Sequence, residues 1–164
     1  MRRRKPRSLH AQVTRMAGRW PNLTFVVRPP QTLMWHGPLV GFQRSYNIAL
    51  VWRPCEGVPP RVHILHPNLK PRPGARFVDI PHLIYDRAAP QNSALCLYDP
   101  HSGEWDDAML IADTIVPWAA EWLHDYECWH AFGEWRGRSA PGPQSVGEML
   151  DASVAGEAAS GARP

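Results

Sequence analysis

The residue best suited to covalent chemistry is Cys96, set in Ala94-Leu95-Cys96-Leu97-Tyr98-Asp99-Pro100 within a stretch that reads as irregular. A thiolate is intrinsically nucleophilic, which makes a reduced cysteine in such a segment a candidate nucleophile. The competing reading is a buried, inert cysteine, a common occupant of protein cores. Cys55 follows Pro54 in an expected turn and Cys128 falls on an expected helix; neither has comparable neighbours. His82 follows Ile80-Pro81 and precedes Cys96 by fourteen positions in the same stretch. An imidazole beside a thiol can lower its pKa or donate a hydrogen bond to an oxyanion. The alternative is a loop histidine bonded to the backbone.

His63, His66, His101 and His124 complete the candidates considered. His63 and His66 could ligate a metal, but no second pair stands at metal-site spacing and the cysteines are wrongly spaced for zinc, so no metal is expected. Neither Gly-x-x-x-x-Gly-Lys-Ser/Thr nor Gly-x-Gly-x-x-Gly occurs, so the chain is not expected to activate a substrate with ATP, and no cofactor is implied. A Gly-x-Ser-x-Gly elbow is also missing.

The elements that must position these groups belong to one domain. The 164 residues suffice for a single hydrophobic core, and 44% hydrophobic composition fits a globular protein. Eight Trp supply much buried area without disulfides. No apolar run reaches the roughly 20 residues of a bilayer span, so no membrane is expected. Met1-Arg2-Arg3-Arg4-Lys5-Pro6-Arg7 has the charge of a signal-peptide start, but no apolar stretch follows. With three cysteines, an odd number, a reducing, cytoplasmic setting is expected. The net charge of +3 owes much to that basic run. Clustered cations attract phosphates, yet few aromatics interleave with them; the run reads as a solvated arm, with no nucleic-acid partner expected.

Leu9, Val13, Met16 and Trp20 recur at helical spacing after Ser8, a plausible N-cap, and Pro21-Asn22 stops the pattern. Four strand-like runs follow: Leu23 to Val27, Thr32 to Phe42 with Gly37-Pro38 marking a bulge or an edge, Tyr46 to Trp52, and Arg61 to Leu65. Their short spacing predicts an antiparallel meander. From Pro67 to Pro100 the chain reads as a long ordered loop, where chemistry commonly sits. Asp106 to Phe132 reads as helical, with Ile111, Ile115, Trp118, Trp122, Tyr126 and Trp129 on one stripe. Pro117 either kinks this helix or stands in the first turn of a new one, and Gly133 ends it. The aromatic stripe reads as core rather than as a ligand platform. The expected organisation is a basic flexible arm over 1–7, a domain over 8–137 and a disordered tail over 138–164.

An α+β order of helix, four-strand meander, cysteine-bearing loop and long helix resembles the ubiquitin-conjugating-enzyme fold. Pro59-Pro60-Arg61-Val62 resembles that family's Pro-Pro-x-Val strand, Leu95-Cys96-Leu97 its active-site triplet, and Trp105 falls near its Trp ahead of the second helix. Ile80-Pro81-His82, Leu95-Cys96-Leu97-Tyr98, Glu104-Trp105, Thr114-Ile115-Val116-Pro117-Trp118, Glu121-Trp122-Leu123 and Tyr126-Glu127-x-Trp129 resemble the bacterial conjugating-enzyme proteins of antiphage operons, those of type II cyclic-oligonucleotide signalling systems. The resemblance implies a short, stand-alone form without an adenylating domain. It implies a thioester on Cys96 with the flexible C-terminus of a partner protein, a cGAS-like nucleotidyltransferase or a ubiquitin-like modifier, and transfer to an amine. A non-catalytic scaffold of the same fold is the alternative. The eukaryotic enzymes keep His-Pro-Asn about ten residues before their Cys; here His66-Pro67-Asn68 precedes Cys96 by about thirty. Under the resemblance His82 therefore takes the oxyanion-stabilising role in place of Asn68.

Overall fold

The computed structural model describes residues 4–100, 102–138 and 144–160. Helix α1 (Leu9–Arg19) begins at Ser8, whose side chain accepts the Ala11 N–H. Its packed face keeps Met16, Val13 and Trp20 of the expected stripe but loses Leu9 and gains a glutamine. Gln12 and Met16 are buried, whereas Leu9 is exposed. The reason is chemical: Gln12 satisfies two main-chain groups of a distant segment, donating to the Met109 carbonyl at 2.8 Å and accepting the Ile111 N–H at 2.9 Å. A buried polar side chain with both ends paired is tolerated where an unpaired one is not. Trp20 continues this seam by donating to the Ala112 carbonyl at 2.8 Å.

The sheet has six strands, not the four expected: β1 (Thr24–Arg28), β2 (Thr32–Val40), β3 (Ser45–Arg53), β4 (Val58–His66), β5 (Leu83–Ile84) and β6 (Ala94–Leu95). Their order is β1-β2-β3-β4-β6-β5, and every pairing is antiparallel. The first four form the expected meander. The last two have two residues each, too few to show alternation, and lie inside the stretch read as loop. Along β3, Tyr46, Ile48, Leu50 and Trp52 are buried. Gly37-Pro38 marks an edge rather than a bulge, because the β1 ladder ends at Thr24 opposite His36. The register shift between Val51 and Arg53 instead leaves room on β4 for Pro59-Pro60, which donate no ladder hydrogen bonds.

Helix α2 (Ile115–Phe132) starts later than the sequence pattern suggests, after a 3-10 turn at Ile111–Asp113. Pro117 stands in its first turn, where a missing N–H costs nothing. Gly133 ends it at φ 87°, a left-handed conformation that favours glycine. Ile115, Val116, Ala119, Trp122, Leu123, Tyr126 and Trp129 are buried in the core, so the aromatic stripe is chiefly packing. From α2, the Glu127 carboxylate accepts the N–H groups of Phe42, Gln43 and Arg44 at 3.2, 2.8 and 3.3 Å, shaping the turn between β2 and β3.

Of the expected arm, residues 1–3 lie outside the described residues, and Arg7 is tied to the domain through Asp107 and Ala108. Of the expected tail over 138–164, residues 139–143 and 161–164 lie outside the described residues, and helix α3 (Val146–Ser160) lies between them. Ala, Gly and Ser content suggests no core-forming segment, yet a short capped turn starts this helix against Phe77–Asp79. No helix among the described residues is long and apolar enough to cross a membrane.

Candidate active site

Strands β5 and β6 exist to set two residues face to face. Their register pairs Leu83 with Leu95 and Ile84 with Ala94, which places His82 opposite Cys96 one step further on. The Cys96 N–H donates to the His82 carbonyl at 2.9 Å. The reciprocal ladder bond is diverted. His82 has φ 52°, left-handed in a residue other than glycine, and its N–H points to the Gln144 carbonyl at 2.7 Å. The Trp122 indole N–H also donates to the His82 carbonyl, at 2.9 Å, so α2 fixes that peptide from a third direction.

Both side chains line one small open cleft of about 50 Å³, walled by Leu97, Trp118, Glu121, Trp122, Asp125, Trp135 and Arg138. Cys96 is half-buried. Among the described residues its thiol makes a long contact to the Tyr98 carbonyl, 4.0 Å. Burial pushes the thiol pKa up, and the Asp99 carboxylate adds to the effect. The His82 ring leans on Trp135 with centroids 5.1 Å apart, and its Nε2 is buried with no hydrogen-bond partner among the described residues. Burial lowers the His82 pKa, against the pull of Glu148 and Asp125, so the ring is neutral at pH 7. A neutral imidazole still carries one N–H donor.

The chain after Cys96 is braced by aromatics. Tyr98 packs between Trp118 and Trp105, at 5.7 and 6.3 Å, and burial pushes its phenol pKa up to about 12. Trp105 also meets Trp52 at 6.5 Å.

Cys96 and His82 are therefore brought together, and the other candidates are not. Asn68 lies in a separate groove with Phe42, Lys70, Tyr126 and Phe132. His63 Nδ1 is 2.9 Å from the Asn92 carbonyl, and burial lowers its pKa. His124 sits 3.4 Å from Asp125. His101 lies outside the described residues. Cys55 is exposed near Gln31, and Cys128 borders the Asn68 groove. Among the described residues no three His, Cys, Asp or Glu side chains cluster to hold a metal.

Sequence reasoning missed Glu121, Asp125, Trp135 and Arg138 as cleft residues. Two of them had a signal: Glu121 and Asp125 stand four apart, as do Trp118 and Trp122, so both pairs share a face of α2. Trp135 reaches the cleft only because Gly133 reverses the chain and folds it back onto Trp122, 5.5 Å away.

Chemically, the arrangement offers a half-exposed sulfur that is not pre-activated, a neutral imidazole with an uncommitted nitrogen, and carboxylates along the rim. That combination suits attack on a carbonyl already activated elsewhere. A family model described as type II CBASS E2 protein matches residues 12–143, most of the chain. No curated protein matches the sequence.

Proposed function

The chain belongs to the type II CBASS E2 family, and from that premise and the cleft we propose that it carries the C-terminus of a partner protein as a thioester on Cys96. In the first step the Cys96 thiolate attacks the activated C-terminal carbonyl; a C–S bond forms and the activating group leaves with its electron pair. In the second, an unprotonated amine attacks the thioester, a C–N bond forms, the Cys96 thiolate departs, and the amine nitrogen gives its surplus proton to solvent. Each step passes through a tetrahedral oxyanion, to which His82 donates through its free N–H. The reading draws its fold from the conjugating enzymes, its partner from the flexible tail of a cGAS-like nucleotidyltransferase or a ubiquitin-like modifier, and its setting from antiphage defence.

The observation that carries it is the placement of Cys96 on the wall of an open cleft, opposite a residue whose buried Nε2 has no hydrogen-bond partner among the described residues. Burial and Asp99 raise the thiol pKa, so the sulfur stands mostly as the thiol and must lose its proton to solvent before it attacks. A nucleophile that meets a pre-activated carbonyl needs no strong base, and a mostly protonated thiol resists stray oxidation.

The test is adduct formation with partner and activating enzyme on non-reducing gels. Cys96→Ala is expected to abolish the reducible adduct, and Cys96→Ser to give an adduct that resists thiols. Normal adducts on both variants place the nucleophile elsewhere and leave a scaffold of the same fold as the surviving reading.

A further inference from the structure

Helix α3 lies beyond the residues the family model matches, and it touches the protein chiefly through its first turns, beside the Cys96 cleft. Ser145 starts the helix by accepting the Glu148 N–H at 3.1 Å, while the Glu148 carboxylate accepts the Gln144 N–H at 2.6 Å. This is a capping arrangement that fixes the chain direction. Ser145 and Gly147 are buried. Gly147 seats against the Asp79 carboxylate and the Arg76 guanidinium; a Cβ there would overlap an Asp79 oxygen and lie 3.0 Å from Arg76 Nη2. One turn on, Asp151 meets Arg76 at 2.9 Å, and Arg76 holds Asp79 at 2.7 Å. Met149, Leu150 and Val154 of α3 are all exposed.

The docked turn reaches the active-site segment at one atom. The Gln144 carbonyl takes the His82 N–H that the β5–β6 ladder leaves over. We propose that the first turn of α3 is a latch on the Cys96 cleft. Seated on Phe77–Asp79, it holds His82 in its left-handed conformation opposite Cys96; released, it frees His82 and loosens the β5–β6 segment that carries the sulfur. The grip consists of one main-chain hydrogen bond, a close approach of Gly147 to the Asp79 carboxylate, and an exposed ion pair. Exposed pairs hold weakly and are screened by salt, so the latch opens without unfolding the domain. Its consequence for acyl transfer rests on Cys96 being the nucleophile, whereas the latch itself is read by simple thiol chemistry.

The experiment measures iodoacetamide alkylation of Cys96 in the full-length chain, resolved by peptide mass spectrometry with exposed Cys55 as internal reference. Amide exchange at His82 is followed in parallel. Gly147→Ala strengthens the helix but blocks its seating, so alkylation of Cys96 is expected to rise roughly threefold or more with loss of His82 amide protection. Asp151→Asn, at an exposed position where folding is not at risk, gives a smaller rise. Sodium chloride accelerates alkylation in the wild type and not in Asp151→Asn. Wild-type alkylation and wild-type His82 protection in both variants overturn the latch. Failure of the thioester assay while alkylation responds as described removes the proposed function and leaves the latch standing.

Discussion

Replacing His82 by glycine separates its chemistry from its place in the fold. The backbone at this position is left-handed, φ 52°, a conformation that costs an L-residue about 1–2 kcal/mol and glycine nothing. The substitution also deletes the ring contact with Trp135 at 5.1 Å, worth about 0.5–1.5 kcal/mol, and adds glycine's backbone entropy, about 0.5–1 kcal/mol. These opposing amounts nearly cancel. The hydrogen bonds that organise the site all use His82 main-chain atoms: Cys96 N–H and the Trp122 indole to its carbonyl, and its own N–H to Gln144. Glycine keeps every one of them. What disappears is the unpartnered Nε2, and losing one oxyanion donor costs about 2.7–4 kcal/mol in the barrier, or roughly 100- to 1000-fold in rate. The assay is single-turnover discharge of the Cys96 thioester to free lysine, followed on non-reducing gels, with a thermal melt of the same sample. A large rate loss beside a Tm moved by only a few degrees is expected. Discharge within about threefold of wild type at unchanged Tm refutes the oxyanion role and leaves His82 as a backbone element only.

The remaining predictions concern stability and pH. Gln12→Ala strips the Met109 carbonyl and the Ile111 N–H of their buried partner, and each orphaned group costs about 1–3 kcal/mol; a urea midpoint close to wild type counts against the seam. His82 and His63 both have pKa values lowered by burial, so the unfolded chain binds protons more readily than the folded one. Stability is therefore full above the ordinary histidine value, about 6.5, and falls as pH drops below it toward the folded-state values. Urea midpoints at descending pH check this, and His82→Gly is expected to flatten the slope in that window. An unchanged slope in the variant shows that His82 does not contribute to it.

How far the sequence discloses the molecule depends on element length and on what fills the buried faces. The four long strands and α2 declare themselves because alternation and helical recurrence persist over five or more residues. β5 and β6 cannot, with two residues each, although they position Cys96 and His82. Leu9 misleads because periodicity counts apolar residues, while the position buried beside Met16 on α1 belongs to a glutamine serving another segment's backbone. Helix α3 had a legible start in Ser145-Val146-Gly147-Glu148, a capping pattern ahead of Met149-Leu150 that the Ala- and Gly-rich composition obscured. Cys96 and His82 stand out by residue type and neighbours. The cleft around them is tertiary, assembled from α2, the reversal after Gly133 and the residues beyond it, and no local pattern encodes it.

The β2–β3 turn owes its shape to Glu127, and α1 is satisfied by main chain near residue 110. Synthesis runs from the N-terminus. A nascent chain thus exposes a helix and a hairpin whose polar groups have no home until the second half leaves the ribosome. The first hundred residues are consequently not a free-standing unit, and the cysteine acquires its surroundings only when the protein is almost complete. Premature termination between Cys96 and the end of α2 leaves the sulfur without the walls of its cleft.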